Sequence, residues 1–245
     1  MIELNKIYNE DCSETIKRME DKSVDLVLTD MPYGITACKW DKVPDLEVLW
    51  KEFKRIGKDN CAYVFTASQP FTTDLINSNR KWFKYEWIWE KTKPSNFQIA
   101  KYNPLKYHEN ILIFYNNKPI YNQYNLKPCF IKSGRKNKGA NLKQLKYSDK
   151  NWITKETGFN HSIIKISNPS GKGHLHPTQK PVALFEYLIK IYTNEGDLVY
   201  DGFMGSGTSA IAAINLKRNW IGSEISPEYC KIANKRIKDL PTKLL

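Results

Sequence analysis

Short apolar runs alternate with amphipathic helical patterns along most of this chain, and that alternation restricts the fold more than any other feature. SVDLVLTD (23–30), CAYVFTA (61–67), YEWIWEK (85–91), ENILIFY (109–115), DLVYD (197–201) and NWIGSEI (219–225) read as strands rich in Val, Ile and aromatic residues. Between them lie helical patterns. DLEVLWKEFKRIG (45–57) places apolar residues at 46, 49, 50 and 53 and stops at Gly57, and PVALFEYLIKIY (181–192) opens with a proline in its first turn. GTSAIAAINLK (207–217) and SPEYCKIANKRIK (226–238) complete the set, the latter with Ser226 as N-cap and Pro227 at the first helical position. Strands separated by helices of this length predict an α/β fold, with a mainly parallel sheet covered on both faces.

Charge is concentrated where the alternation breaks. The chain carries 38 basic and 26 acidic residues, a net charge of +12. Lys118 to Lys172 holds twelve basic residues against Asp149 and Glu156, so +10 falls within 55 residues and about +2 on the rest. That footprint favours a polyanionic partner. Tyr121, Tyr124, Phe130, Tyr147, Trp152 and Phe159 interleave with the lysines, which a purely solvating tract would lack. At 245 residues and 41% hydrophobic, the chain can bury a full core as one domain with an insertion, or at most two small domains. The N-terminus MIELNKIYNE lacks an apolar signal core, and no apolar run approaches the length that spans a bilayer, so a cytoplasmic protein without membrane contact is expected. Cys12, Cys38, Cys61, Cys129 and Cys230 show neither disulfide nor zinc-knuckle spacing.

Ligands of such sheets bind beyond the carboxyl ends of the strands, so two loops matter most. DGFMGSGTSAIAA (201–213) is a strand-to-helix turn with glycines at 202, 205 and 207. A P-loop would need a lysine before its Ser or Thr, and Gly207 stands there instead. The dinucleotide fingerprint is met only in its looser form, through Gly205, Gly207 and Ala210. A cofactor with little negative charge remains, and Glu224, at the end of the next strand, can take the two hydroxyls of a ribose. An adenosine-containing ligand fits; a purely structural helix-start turn is the competing reading. In the second loop, DMPYG, Asp30 closes a buried strand and Pro32 fixes the backbone around it. Asp30 and the Met31 carbonyl can both accept hydrogens from one amino group, while Tyr33 offers a flat face to a base. An ordinary turn with a capping aspartate is the alternative.

Together these residues resemble S-adenosylmethionine-dependent DNA amino-methyltransferases, in the class whose catalytic motif precedes the cofactor motif and which is frequent in phages and restriction-modification systems. DMPYG is similar to the D-P-P-Y catalytic motif, DGFMGSGTS to the D-P-F-x-G-S-G-T cofactor loop, HPTQKP (176–181) to the segment contacting the cofactor's amino-acid end, and YNEDCSETIKRMEDKSVDLVLTD to the family's N-terminal segment. Two positions depart from the pattern. Met31 and Gly202 each replace a proline, which costs loop rigidity and removes no functional atom.

The resemblance implies an α/β fold that is Rossmann-like and doubly wound, a mainly parallel sheet with an antiparallel hairpin strand, plus a basic insertion. The expected organisation is a catalytic half (1–116), a target-recognition insertion (117–173) and a cofactor half (174–245). It further implies direct methyl transfer to adenine N6, with Asp30, Met31, Pro32 and Tyr33 at the catalytic centre. Asp201, Gly202, Phe203, Gly205, Ser206, Gly207 and Thr208 would form the cofactor loop, with Glu224 at the ribose, Asp11 and Cys12 near adenine, and Thr178 and Lys180 near the carboxylate. DNA contacts are expected from Lys132, Arg135, Lys136, Lys138, Lys143 and Lys146. DNA is the expected partner, and a homodimer and a cognate restriction endonuclease are compatible with it. Cytosine-N4 methylation uses nearly the same site, although that branch tends to carry Ser where Asp30 stands; a methyltransferase for RNA, protein or a small molecule, and an inactive DNA-binding protein, are further alternatives.

His174 and His176 have no nearby carboxylate or thiol partner, so no metal is expected. Cys129 lies inside the basic segment and is assigned no role, and Trp87 and Trp89 read as core residues.

Overall fold

The computed structural model describes residues 2–35, 41–133, 152–169 and 179–241; side chains of 131–133 and 152–153 are not described. The strands are β1 (Lys6–Tyr8), β2 (Val24–Thr29), β3 (Gly57–Ala67), β4 (Phe83–Ser95), β5 (Lys106–Phe114), β6 (Lys127–Ser133), β7 (Trp152–Thr157), β8 (Ile163–Lys165), β9 (Leu198–Asp201) and β10 (Asn219–Ser223). The helices are α1 (Cys12–Lys17), α2 (Leu46–Ile56), α3 (Phe71–Ser78), α4 (Val182–Tyr192), α5 (Thr208–Asn215) and α6 (Pro227–Lys238), with a short 3₁₀ turn at Phe97–Ile99.

Eight strands form one sheet in the order β1-β10-β9-β2-β3-β5-β4-β8. Only β5 runs against its neighbours, pairing antiparallel with β3 and β4. The expected α/β fold and its antiparallel hairpin are both present. Alternate residues of the central strands enter two cores, one on each face. Leu26, Leu28, Ala62, Val64, Ile111 and Ile113 pack on one side, while Val27, Tyr63, Phe65, Leu112 and Phe114 pack on the other. Trp87 and Trp89 are buried as core residues, their indole N–H groups donating to the Tyr192 hydroxyl at 2.9 Å and the Ile166 carbonyl at 2.8 Å.

The order places a topological switch point at the centre. From β2 the chain proceeds outward through α2 to β3, and from β9 it proceeds the other way through α5 to β10. β2 and β9 are parallel neighbours, with Leu26 opposite Val199 and Val27 opposite Tyr200. Crossovers leaving in opposite directions open a crevice beyond the carboxyl ends of these two strands. Asp30 and the 201–207 turn are the residues that follow them.

Local chemistry explains the elements. Asp45 caps α2 by accepting from the Glu47 and Val48 N–H groups at 3.0 and 3.1 Å, and Leu49, Trp50, Phe53 and Ile56 bury its inner face. Gly57, expected to stop the helix, is its C-cap; it is extended at φ −69° and begins β3 directly. Its glycine also serves a close approach: a Cβ there would lie 2.1 Å from the Tyr63 hydroxyl oxygen.

Compactness divides the chain into two units, Met1–Asn122 with Ser162–Leu245, and Gln123–His161. The smaller unit contains the antiparallel pair β6 and β7, with Lys127 opposite Thr157. β8 falls within 117–173 yet pairs parallel to β4 in the main sheet, because Ile164 is buried in the sheet's core. Lys132 lies on β6; Arg135, Lys136, Lys138, Lys143 and Lys146 fall outside the described residues, as do Thr178, His174 and His176. The Cys129 thiol is half-buried and donates to the Thr154 carbonyl at 3.6 Å. No helix among the described residues is long and apolar enough to cross a membrane.

Candidate active site

A cleft of about 1370 Å³ opens at the switch point, lined by the 30–33 loop, the 201–206 turn, Asp11, Cys12 and Glu224. Sites for one small ligand typically measure about 300–1000 Å³, so this cleft has room for two.

Asp201 ties its two walls together. Its Oδ1 accepts from the Thr29 hydroxyl of β2 at 2.6 Å and the Phe203 N–H at 3.0 Å, and its Oδ2 from the Ser209 hydroxyl at 2.5 Å. Burial pushes the Asp201 carboxyl up to about 6 even though these three donors oppose the shift. Between the ordinary value near 3.9 and about 6, the folded state binds the extra proton, so this group's contribution to stability falls as pH rises through that window. Its cost at neutral pH is on the order of 3 kcal/mol. Wild-type stability minus that of Asp201→Asn, from urea denaturation, is therefore expected to fall by about that amount between about pH 4 and 8. A difference independent of pH would show that Asp201 titrates normally.

The glycine turn uses two left-handed positions. Gly205 has φ +54° with nothing within 4 Å of its missing Cβ, whereas Gly207, at φ +82°, would bring a Cβ within 2.9 Å of Ala233 Cβ. Gly205 thus leaves open space, and Gly207 allows α6 to approach. Glu224 is buried and its carboxyl is raised by that burial, against the Ser226 and Gly205 N–H groups that donate to Oε1 at 2.8 Å and Oε2 at 2.7 Å. Each oxygen keeps capacity for another donor. Ser206 is held to α6 through Arg236, whose Nη1 donates to its Oγ at 3.0 Å, and the Thr208 hydroxyl donates to the Lys180 carbonyl at 3.4 Å.

Across the cleft, Asp11 caps α1 by accepting from the Ser13 N–H at 2.8 Å. The Cys12 thiol is pushed up to about 12, chiefly by burial, which makes it packing surface and no nucleophile. A Cβ at Gly202 would come within 3.3 Å of Cys12 Cβ and the Tyr200 hydroxyl oxygen. Met31 is buried among the apolar residues of one core, so packing anchors the loop where the resembling motif has proline.

Asp30 is held from three elements. Its Oδ1 accepts from the Tyr33 hydroxyl at 2.5 Å and from the Thr66 hydroxyl of β3, and its Oδ2 from Lys180 Nζ at 2.6 Å. A carboxylate offers about four acceptor sites, which leaves one, on Oδ2. Tyr33 stacks on Phe71 with centroids 5.4 Å apart, and its ring lines the cleft. Pro32 lies between them in the same wall. Asp41 accepts from the Gly34 and Ile35 N–H groups at 2.9 and 3.0 Å and closes the loop.

Lys180, expected near a cofactor carboxylate, pairs with Asp30 and stands 3.4 Å from Glu109 Oε2. Burial works against its ammonium, but Asp30 and Glu109 outweigh it and hold the group above the ordinary lysine value. Glu109 in turn meets Lys91 at 2.5 Å. Thr66, Glu109 and Lys91 were not singled out in the sequence. Period two gives the signal for two of them: Lys91 continues the inward series Trp87, Trp89 on β4, and Glu109 begins the inward series Ile111, Ile113 on β5.

A family model described as DNA methylase, for N6 and N4 methyltransferases, matches residues 24–235. The chain belongs to this DNA methylase family. Type II methyltransferase M1.MboII of Moraxella bovis is 30% identical to this DNA methylase over 96% of each chain. M.HpaI of Haemophilus parainfluenzae is 28% identical over 92% of this chain and 73% of its own length. Among solved structures, the M1.HpyAVI–SAM complex superposes with a TM-score of 0.67 at 28% identity, covering 95% of the DNA methylase and 98% of that chain. The cytosine-N4-specific PvuII DNA methyltransferase, at 18% identity and a TM-score of 0.69 over 98% and 88% of the two chains, shares the fold.

Proposed function

We propose that this DNA methylase transfers a methyl group from S-adenosylmethionine to the exocyclic N6 amino group of adenine in DNA, by direct in-line displacement on a base turned out of the stack. The reading is carried by one observation: the Asp30 loop and the glycine turn line one cleft large enough for cofactor and base.

The cofactor fits the residues present. Open space at Gly205 admits a ligand to the main chain, and the spare acceptors of Glu224 suit the two ribose hydroxyls. Asp11 and Cys12 would border the adenine, with Phe203, Ser206 and Thr208 along the turn. Thr178 belongs to this set by resemblance. When bound, S-adenosylmethionine supplies an electrophilic methyl group on sulfur. Gly205→Ala is expected to weaken cofactor binding at least tenfold while costing only about 1–2 kcal/mol of stability, since a left-handed residue in open space meets no neighbour. Calorimetry and thermal unfolding check the pair; unchanged affinity would move the cofactor away from this turn.

The chain's own groups activate the amine. Its lone pair is delocalised into the ring, and accepting its two hydrogens at the free Oδ2 site of Asp30 and at the Met31 carbonyl localises that pair toward the methyl group. Extrusion of the base costs a few kcal/mol, which stacking on Tyr33, worth roughly 1–3 kcal/mol, offsets. Asp at position 30 favours adenine over cytosine N4.

DNA engagement rests on two surfaces. Residues 117–173 form the proposed target-recognition insertion, with Lys132, Arg135, Lys136, Lys138, Lys143 and Lys146 as phosphate contacts. On the larger unit, exposed Phe97 and Tyr102 sit close in sequence to the exposed lysines Lys93 and Lys101. Contact with about six phosphates predicts that log affinity falls with log salt at a slope near −5, and a flat response would remove that footprint. A cognate endonuclease and a homodimer are partners this reading accommodates. Incubation with unmodified DNA and labelled cofactor, followed by nucleoside identification, tests the target: N6-methyladenine is expected, whereas N4-methylcytosine would reassign the base and an unlabelled digest would refute DNA methylation.

A further inference from the structure

Four charged side chains form a buried series in the wall of the cleft: Lys91 of β4, Glu109 of β5, Lys180 before α4 and Asp30 after β2. Lys91 Nζ meets Glu109 Oε1 at 2.5 Å, Lys180 Nζ lies 3.4 Å from Glu109 Oε2, and Lys180 Nζ meets Asp30 Oδ2 at 2.6 Å. Lys91, Glu109 and Lys180 are only 8, 13 and 6% exposed at their side chains, too dry for their charges to be explained as solvated surface. Two positive and two negative charges alternate, so removing any one leaves an uncompensated charge against the reacting groups.

We propose, resting on the function above, that Glu109 is a positioning residue for methyl transfer: through Lys180 it keeps the catalytic carboxylate of Asp30 fixed and anionic, and Lys91 holds Glu109 in place. The chemistry requires this arrangement. Asp30 must remain a hydrogen-bond acceptor while a cationic cofactor and an amine enter the same cleft, and a neutral Lys180 would release Oδ2. Burial alone would push Lys180 toward the neutral form, and Asp30 alone supplies one compensating charge. Glu109 supplies the second. Its Oε2 lies 3.4 Å from Lys180 Nζ, so its action on Lys180 is chiefly that of a charge. Other groups bear on the pair: Tyr33 places its ring 5.5 Å from Lys180 Nζ, Asp201 adds a further negative charge felt at Asp30, and Lys106 is a further cation near Glu109 and Lys91.

Glu109→Gln keeps the shape and removes the charge. In cofactor-free protein, NMR titration of isotopically labelled lysines is expected to move the Lys180 midpoint down by about one pH unit or more, while Glu109→Asp keeps it near wild type. With DNA and cofactor, kcat of Glu109→Gln at about pH 9.5 should fall about twofold or more against its value at about pH 7.5, a loss absent from wild type, with cofactor affinity within about threefold. Should this variant fail to fold because Lys91 is stranded, adding Lys91→Met removes both charges of that pair and carries the same expected shift. An unmoved Lys180 midpoint, or a kcat loss matched by cofactor affinity at every pH, overturns the proposal. Wild type that methylates no DNA overturns the function instead, and the titration still decides the role of Glu109.

Discussion

Asp30→Ala is expected to abolish methyl transfer while S-adenosylmethionine still binds with near-native affinity. No group of the glycine turn bonds to Asp30; its partners are Tyr33, Thr66 and Lys180. On the proposed function, losing it removes the acceptor for the amine, and a preorganised polar group of this kind typically lowers the barrier by about 2.7–4 kcal/mol, or 10²–10³ in rate. The truncation also leaves Lys180 with Glu109 as its remaining carboxylate, so about 3–5 kcal/mol of stability is at risk. Asp30→Asn separates the two effects. It keeps the volume but turns an amide N–H₂ or a single oxygen toward Lys180, so the rate falls while most packing survives. Calorimetry with cofactor and single-turnover methylation read both arms. Loss of cofactor binding together with activity would make Asp30 structural.

Lys180→Met is expected to cost about 3–5 kcal/mol at neutral pH, because among the described residues Asp30 loses the one cation that pairs with it and Glu109 loses one of its ion-pair partners. The sign of its pH dependence follows from the groups involved. In wild type, Lys180 is held above the ordinary lysine value, so its contribution is present at neutral pH and disappears as pH rises through the folded value. Burial opposes the Glu109 carboxylate, but Lys180 and Lys91 outweigh it and hold it below the ordinary range, so its contribution disappears as pH falls. In the variant, Glu109 has lost Lys180, so part of the wild-type advantage disappears as that carboxylate protonates. The stability gap to wild type should therefore narrow as pH falls. A constant gap from about pH 4 to 8 would mean that Lys180 contributes packing and little charge.

Most of the fold was legible because its elements carry period-two or period-3.6 apolar patterns that tertiary packing reinforces. What escaped notice lacks such a pattern. β1 and β8 have three residues each, too few for a period, and α3 begins after a proline with no side-chain cap. Gly57 is legible as the helix stop it proves to be; the further need for a glycine there comes from Tyr63, six residues later and folded back onto it. The two loops of the site were visible in DMPYG and DGFMGSGTS because backbone demands fix residue types at short spacing. Lys180 was visible as a residue, but its contact with Asp30 was not, since that partner stands 150 positions away in the chain. Ion pairs between distant strands leave no local trace, although Lys91 and Glu109 were readable as polar residues on inward-facing registers.

Convergence of two ligands on one cleft is the claim on which the chemistry depends. A bisubstrate compound joining the N6 nitrogen of adenosine to the sulfur-bearing end of the cofactor tests it, with its dissociation constant measured calorimetrically against that of S-adenosylhomocysteine alone. The account predicts binding at least about 10²-fold tighter for the joined compound, from the effective concentration of the second half, with that gain lost in Asp30→Ala. Equal affinity for the joined compound and S-adenosylhomocysteine in wild type would contradict it.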